Sequence, residues 1–260
     1  MALRLDQAVC LRQWDWSETS QTVTLFARDS GLLRGLAKGS RRPRATFSGG
    51  LEPLTAGELQ FIHKPNAELF TLAAWDLTET FPGVRSNLRA HYAGLYFADL
   101  VQRTLSPLDP HPLAFDALLA ALRQLSDPRT IEPALLRFQF TLLQEAGFRP
   151  TLDRLVTGEP LLDAPSHTFD PLRGGLVESP SHIDPSPANH WRIRASTVQL
   201  LLNLDAAPET LASAPADSLK RANRFLAAYW RHVLGEQPPT MAWLFPDVDP
   251  SAPPLPRSPG

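Results

Sequence analysis

Cysteine is almost absent from this chain of 260 residues, which contains only Cys10. A single thiol excludes an internal disulfide framework. Cys10 lies in the apolar run of residues 8–11, and a free cysteine in such a run is usually buried. We therefore expect a buried structural thiol in a protein of a reducing compartment.

Long apolar runs are missing as well. No stretch approaches the ~18 apolar residues that a membrane-spanning helix requires. Arg4 and Asp6 interrupt the start of the chain, where a secretory signal would place its apolar segment. These features predict a soluble cytoplasmic protein that has no membrane partner.

The motifs of common nucleotide-binding and hydrolytic enzymes are also absent. The chain has no Gly-x-x-x-x-Gly-Lys-Ser/Thr loop, no Gly-x-Ser-x-Gly elbow and no pair of histidines at the zinc-protease spacing. His91 stands beside Tyr92 with no neighbouring group that would orient it as a general base. We expect no catalytic residue and no enzymatic activity.

The most distinctive feature that is present is the basic segment, residues 28–44 (RDSGLLRGLAKGSRRPR). It holds one acid, Asp29, and six bases: Arg28, Arg34, Lys38, Arg41, Arg42 and Arg44. Six bases minus one acid give a charge of +5, against −2 for the whole chain. Such a local stripe is a candidate footprint for a polyanion. The alternative is a solvated edge hairpin whose charges prevent aggregation.

Residues 1–80 carry the pattern of a small β-barrel. Five strands rich in β-branched and aromatic residues are predicted at residues 6–16, 22–28, 32–38, 58–64 and 67–75. A turn at residues 29–31 places the basic segment on a hairpin, and a second hairpin turns at residues 65–66. Five strands in under eighty residues indicate an OB-fold, a barrel that commonly binds oligonucleotides. Four aromatics could stack on bases or pack inside the barrel: Trp14, Trp16, Phe47 and Phe61.

Residues 81–236 switch to the helical period. Helices are predicted from Leu88 onward and at residues 113–125, 131–146, 197–204 and 217–234. The third of these turns Leu135, Phe138, Leu142 and Leu143 towards the core. In the last, Asp217 is the expected N-cap, Gly235 follows the end, and Arg221 and Arg224 lie on a cationic face. Residues 149–194 are cut by proline and glycine, so no strand is predicted there. Residues 237–260 form a Pro-rich tail that we expect to be disordered.

Several pieces of the chain resemble the RecO family of bacterial recombination mediators. Residues 5–59 are similar to its N-terminal OB domain, above all in Trp-Ser-Glu-Thr-Ser at 16–20, Gly-Leu at 31–32 and Ala-Lys-Gly at 37–39 with the arginines that follow. Residues 136–152 (LRFQFTLLQEAGFRPTL) resemble the helix and exit that lead to the family's zinc element. Residues 169–177 (FDPLRGGLV) resemble the end of that element. The resemblance covers most of residues 1–235.

The chain departs from the family at the zinc element. Many members carry two Cys-x-x-Cys pairs, which would fall near residues 155–157 and 178–181, and this chain has neither. A structural zinc normally needs four Cys or His ligands. The remaining candidate ligands are Asp163, His167, Glu178 and His182. We expect no zinc and no other cofactor, and a lobe held by packing of Leu152, Leu155, Phe169 and Leu176.

The resemblance implies an α+β protein: a five-stranded OB-fold barrel (1–80), then a helical domain (81–236) with an irregular, zinc-less zinc-finger-like insertion (149–194). It implies a non-enzymatic, nucleoid-associated mediator of DNA repair that binds single- and double-stranded DNA and anneals complementary strands. Its partners would be RecR and the C-terminal tail of the single-stranded DNA-binding protein, and it would help to load RecA.

Particular residues are assigned to these roles. The DNA-binding candidates are Arg34, Lys38, Arg41, Arg42, Arg44, Arg221 and Arg224. The partner-binding candidates are Arg137 and Phe138. Two alternatives stay open: an OB-fold module that binds RNA or DNA in another pathway, and a metal-dependent hydrolase that uses the histidines of residues 163–190.

Overall fold

The computed structural model describes residues 3–42, 46–48, 50–62, 69–178, 190–206 and 210–248. The chain divides into two compact units, Met1–Ile131 and Glu132–Gly260. Within the described ranges, each helix is too short or too polar to cross a membrane.

The first unit begins with a closed barrel. Its strands are β1 (Leu3–Asp15), β2 (Gln21–Ala27), β3 (Gly31–Ala37), β4 (Phe47–Ser48), β5 (Thr55–Ile62) and β6 (Phe70–Glu79). Antiparallel pairing runs in the order β3-β2-β1-β5-β6, and β3 also pairs in parallel with β6, which closes the sheet. The two-residue β4 lies along β6. The predicted five-stranded OB-type barrel is confirmed, with β4 as a short addition.

Side chains along each strand point alternately into and out of the barrel, and the inward ones fill its core. Inward positions of neighbouring strands bury Cys10, Val23 and Leu33, among others. Burial raises the pKa of the Cys10 thiol to about 12, so this group stays protonated at neutral pH. The predicted buried thiol is confirmed. The pairing of β1 with β2 is interrupted by a bulge between Cys10 and Arg12.

Three helices complete the first unit: α1 (Pro82–Ser86), α2 (Leu88–Thr104) and α3 (Pro112–Gln124). The ring of Phe115 in α3 packs edge-on against Phe26 of β2, with 5.7 Å between centroids. Arg123 of α3 also bonds Glu79 of β6 at 2.8 Å. These helices therefore belong to the same unit as the barrel, which differs from the division predicted after residue 80.

The second unit joins helices to a small sheet. Its elements are α4 (Ile131–Glu145), β7 (Thr151–Leu155), β8 (Ser166–Asp170), β9 (Gly175–Val177), β10 (Trp191–Arg194), α5 (Ala195–Ala206), α6 (Thr210–Ser213), α7 (Ala216–Leu234) and α8 (Met241–Leu244). The four core positions predicted in α4 are all buried: Leu135, Phe138, Leu142 and Leu143.

The prediction that residues 149–194 contain no strand is wrong. Four strands of three to five residues form a sheet in the order β10-β8-β9-β7. Phe169 of β8 lies at its centre, with ring centroids 5.8 Å from Trp191, 4.9 Å from Phe225 and 5.2 Å from Tyr229. Of the residues expected to hold this lobe, Leu152, Phe169 and Leu176 are buried and Leu155 is half-buried.

The ends of α7 and the segment beyond it also differ in part from expectation. Pro215, not Asp217, occupies the N-cap position, and Asp217 lies in the first turn, where a negative charge suits the helix dipole. Gly235 ends the helix at φ 69°, as predicted. Residues 237–248 are folded rather than disordered, because Met241, Leu244, Phe245 and Val248 are buried. Residues 249–260 lie outside the described ranges.

A buried polar network joins α4 to α7. The Asn223 side chain accepts a hydrogen bond from Gln139 Nε2 at 3.0 Å and donates to the backbone oxygen (3.0 Å) and the carboxylate (2.9 Å) of Glu132. Asn223 and Gln139 are both fully buried. Since no solvent reaches the two amides, their hydrogen bonds must come from other protein groups.

Asn223→Ala is expected to lower the free energy of unfolding of the second unit by roughly 3 kcal/mol, because it removes three hydrogen bonds and leaves buried partners unsatisfied. Urea denaturation measures the change. Asn203→Ala is the control, since it loses one exposed bond from Gln199 and should cost less than about 0.5 kcal/mol. Equal losses in the two variants would contradict the importance of the buried network.

Candidate nucleic-acid interface

The outer face of β1, β2 and β3 presents cations beside an aromatic side chain. Two cross-strand rows lie next to each other there: Arg12, Thr24 and Arg34 in one, and Trp14, Thr22 and Leu36 in the other. Residues that pair directly across strands point to the same face. Arg34 is exposed, and Trp14 is 45% exposed. The face therefore combines guanidinium groups with an accessible indole.

The basic loop, residues 38–42, follows β3 at one end of this face. Gly39 has φ +66°, which lets the chain turn sharply there. Three hydrogen bonds hold the loop to the β1–β2 turn and the start of β2: Gly39 N to Ser20 Oγ (3.1 Å), Arg41 N to Thr19 O (3.2 Å) and Ser40 Oγ to Gln21 Oε1 (2.9 Å). Gln21 Nε2 in turn donates to Gln13 Oε1 of β1 (2.8 Å). The last two bonds involve the side chain of Gln21, which is itself buried. The loop is thus fixed to the barrel.

The charges on this face are unevenly paired. Arg41 forms an ion pair with Asp15. Arg34, Lys38 and Arg42 are exposed, and none of them forms an ion pair with a residue in the described ranges. These three cations are available to an external anion.

A further arginine on this face was missed by sequence reasoning. Arg12 pairs with the buried carboxylate of Asp99 at 3.4 Å, and Arg103 pairs with the same carboxylate at 2.8 Å. Two arginines share one acid, so the cluster keeps a net positive charge. The signal was the alternation of Arg12 and Trp14, because a two-residue period places both on one face of a strand.

The other predicted residues of the first unit lie elsewhere. Arg28 is at the opposite end of the β2–β3 hairpin and pairs with Asp116 at 2.9 Å. Arg44 lies outside the described residues. Phe47 is 8% exposed and Phe61 is fully buried, so of the two alternatives open for these rings the structure supports packing inside the barrel. Trp16, at 63% exposed, joins Trp14 as an accessible ring.

The predicted residues of the second unit lie mainly on α7. Arg221 Nη2 donates to Ser218 Oγ at 3.0 Å, while its Nε is buried without a hydrogen-bond partner among the described residues. Arg224 lies 3.8 Å from Asp247. On α4, Arg137 is half-buried. Phe138 is 1% exposed, so the prediction that its ring offers a partner-binding surface is wrong: the ring belongs to the core.

The residues of the zinc-finger-like lobe do not fit a zinc ion. Backbone bonds close the turn where the first cysteine pair would fall: Val156 N donates to Leu176 O at 2.8 Å and Leu155 N to Glu159 O at 2.9 Å. Of the candidate ligands, His182 lies outside the described residues. In the part of the chain that the structure describes, no three His, Cys, Asp or Glu side chains come together. The absence of a zinc ion stays a prediction.

Two sequence models of one protein family match this chain. "Recombination protein O N terminal" matches residues 1–81, and "Recombination protein O C terminal" matches residues 85–242. This chain belongs to the RecO family. The family comprises DNA repair and recombination proteins. In this chain the cationic face described above lies on the OB-type barrel.

Similar curated proteins bear the name "DNA repair protein RecO". The one from Salinibacter ruber is 36% identical over 158 residues, 59% of this chain and 61% of its own length. The one from Rhodopirellula baltica is 34% identical over 147 residues, 56% of this chain and 54% of its own length. Both matches therefore span less than two thirds of the relative. The Anaeromyxobacter dehalogenans protein is 31% identical over 237 residues, 88% of this chain and 91% of its own length.

Asp15→Asn is expected to raise the affinity for an oligo(dT) probe at low salt by up to about fivefold, because it releases Arg41 and removes a nearby negative charge. Fluorescence anisotropy measures the affinity. The control is Asp116→Asn, which makes the same charge change and removes one of the two acidic partners of Arg28, roughly 20 Å away along the seven-residue strands of the hairpin. This distance exceeds the Debye length of about 10 Å at 0.1 M salt, so the control should show little gain. Equal gains in both variants would indicate an unspecific effect of net charge.

Proposed function

We propose that the outer face of β1–β3 and the basic loop bind the phosphate backbone of single- and double-stranded DNA in repair and recombination. The observation that carries this proposal is the set of exposed cations without ion pairs, Arg34, Lys38 and Arg42, beside exposed Trp14 and Trp16. Cations attract any DNA sequence, and indole rings stack on any base. Binding is therefore tolerant of sequence and sensitive to salt.

The order of the basic loop also supports this proposal. Hydrogen bonds to Ser20 and Thr19 order Gly39 and Arg41 before any ligand arrives. A pre-ordered loop loses little conformational entropy when it binds. The cost that remains is the mutual repulsion of the cations, which a phosphate backbone relieves.

Lys38→Gln with Arg42→Gln is expected to weaken single-stranded DNA binding and to flatten the plot of log K against log salt concentration by roughly 1.4. Each lost phosphate contact on a single strand lowers the slope by about 0.7. The control, Arg85→Gln with Arg129→Gln, removes the same charge from exposed arginines outside this face. The two arginines pair with Glu52 and Asp127 at the surface, where such pairs contribute little stability.

An unchanged slope in the Lys38 and Arg42 variant, or an equal change in the control, would place the DNA surface elsewhere. The same titration with an RNA strand tests the alternative of an RNA-binding module. A clear preference for RNA over DNA of the same sequence would favour that alternative.

The same cationic chemistry supports strand annealing without an enzymatic step. Two complementary strands repel each other, and bound cations screen their phosphates. Base pairing then supplies the driving force, so no nucleotide hydrolysis is required. We propose in addition that this protein acts as a mediator with RecR, promotes RecA loading and recognises DNA coated by the single-stranded DNA-binding protein.

Recognition of coated DNA requires a contact with the coating protein. The acidic C-terminal tail of the single-stranded DNA-binding protein needs cations for its carboxylates. Arg221 and Arg224 lie one turn apart on α7 and are the candidates for this contact. Arg224 is 30% exposed, and the 3.8 Å separation from Asp247 is loose enough for exchange with another carboxylate.

Arg224→Gln is expected to slow annealing of coated strands by about fivefold and to leave naked strands unaffected, because a partly exposed charge-assisted contact contributes about 1 kcal/mol. Quenching of a dye pair on complementary oligonucleotides measures the rate. Arg192→Gln, an exposed arginine of β10 that bonds Ser166, is the control. If the wild-type protein accelerated neither naked nor coated strands, the annealing function would be wrong. If Arg224→Gln slowed the annealing of naked and coated strands equally, the role of Arg224 would not be specific to recognition of the tail.

A further inference from the structure

A pocket of about 350 Å³ opens in the second unit between the end of α4, the β8–β9 turn and α7. Its wall includes Phe148, Arg149, Leu172, Arg173 and Tyr229. The volume lies near the lower end of the range for small-ligand sites, so it suits a group of about the size of one nucleotide. None of the functions proposed above uses these residues.

The Tyr229 hydroxyl is a donor that the rest of the second unit does not use. Tyr229 is 3% exposed, and its hydroxyl forms no hydrogen bond with any residue in the described ranges. This oxygen lies 2.9 Å from the place that a Cβ on Gly174 would take, and both residues line the pocket. A phenol that lines a pocket can donate its hydrogen bond to a bound group. Burial raises the pKa of Tyr229, so the group keeps its proton and is a donor towards the pocket.

Two arginines give the pocket its charge. Arg149 is held in place by Gln144 at 3.2 Å and by the ring of Phe140, whose centroid lies 5.4 Å from its guanidinium carbon. Arg173 is exposed, and its side chain forms no ion pair with a described residue. A hydroxyl donor that lines the same pocket as two guanidinium groups suits an anion with several acceptor oxygens, such as a phosphate.

An aromatic ring stands at the rim. Helix α4 ends in a turn in which Gly147 has φ +79° and Phe148 N donates to Leu143 O at 2.7 Å. This bond belongs to the Schellman type of helix end and fixes where the next residues point. Phe148 is 46% exposed and Leu172 is 73% exposed. An open ring face can stack on a base, whereas the apolar anchor of a peptide needs an enclosed, dry socket.

We infer that this pocket binds one nucleotide unit of a single-stranded nucleic acid, with its phosphate on Tyr229, Arg149 and Arg173 and its base on Phe148. The site lies in the unit Glu132–Gly260, apart from the DNA-binding face proposed on the barrel. It provides a second point at which one strand is held. Binding of a nucleotide in this pocket does not require that the barrel face binds DNA.

The probes are thymidine 5′-monophosphate and thymidine, each titrated to ~10 mM into the full chain because single-nucleotide contacts are weak. Backbone amide NMR resonances of Phe148 and Gly174 report on the pocket. We expect saturable shifts with the monophosphate and at least tenfold weaker binding of thymidine, because the nucleoside lacks the charged group. Equal shifts with both probes would overturn the inference.

Two variants test the assigned donors. Tyr229→Phe keeps the ring and removes only the hydroxyl, so the monophosphate should bind about fivefold more weakly. Arg173→Gln should weaken it about tenfold. The control Arg154→Gln removes an exposed arginine of β7 that does not line the pocket, and it should leave the affinity unchanged. Unchanged affinity in both test variants would refute the site.

Two further measurements distinguish nucleotide binding in this pocket from binding at the barrel face and from binding of a peptide in the pocket. The variant Lys38→Gln with Arg42→Gln should retain the pocket shifts in full, because its substitutions lie in the other unit. If that variant lost them, the shifts would report barrel binding and the inference would be wrong. Saturable shifts from an acidic peptide that ends in phenylalanine, with none from the monophosphate, would assign the pocket to a protein partner instead.

Discussion

The parallel pairing of β3 with β6 is the constraint on which the proposed DNA-binding face depends. It closes the barrel and leaves β3 bonded to strands on both sides. Gly35 permits this pairing, since a Cβ at that position would lie 2.6 Å from the Leu72 side chain. Any larger residue would push β3 away from β6. Because β3 is bonded on both sides and cannot shift, Arg34 and the loop after this strand keep their positions.

The face also has to tolerate its own charge. Exposed cations on one strand and one loop repel each other and favour an open loop. The hydrogen bonds from the β1–β2 turn and the ion pair of Asp15 with Arg41 oppose that opening. Asp15 therefore has two opposing effects. It stabilises the loop, and it lowers the positive electrostatic potential of the face. A binding surface that is ordered without ligand requires this kind of compromise between stability and function.

Sequence patterns predicted the barrel and the long helices because their information is local. Strands β2 and β3 flank a short turn with Gly31, and α4 and α7 show a helical period over more than fourteen residues. The cationic stripe was visible for the same reason. The ion pairs of its members were not visible, because Asp15 and Asp116 reach Arg41 and Arg28 from distant positions in the sequence. Nor could a local pattern distinguish the buried ring of Phe61 from the exposed ring of Trp16.

The zinc-finger-like lobe was the least predictable region because its order comes from distant residues. Its strands are three to five residues long, and β7 pairs in parallel with β9 across a long connection. Phe169 organises them by contacting rings from β10 and α7, far along the chain. In related proteins with four cysteines a metal ion can supply such cross-links, since a closed zinc site contributes folding energy directly. Here aromatic packing supplies them, and it ties the small sheet to the helix that carries Arg224 and Tyr229. The contacts of Phe169 with Phe225 and Tyr229 hold this part of α7 against the small sheet.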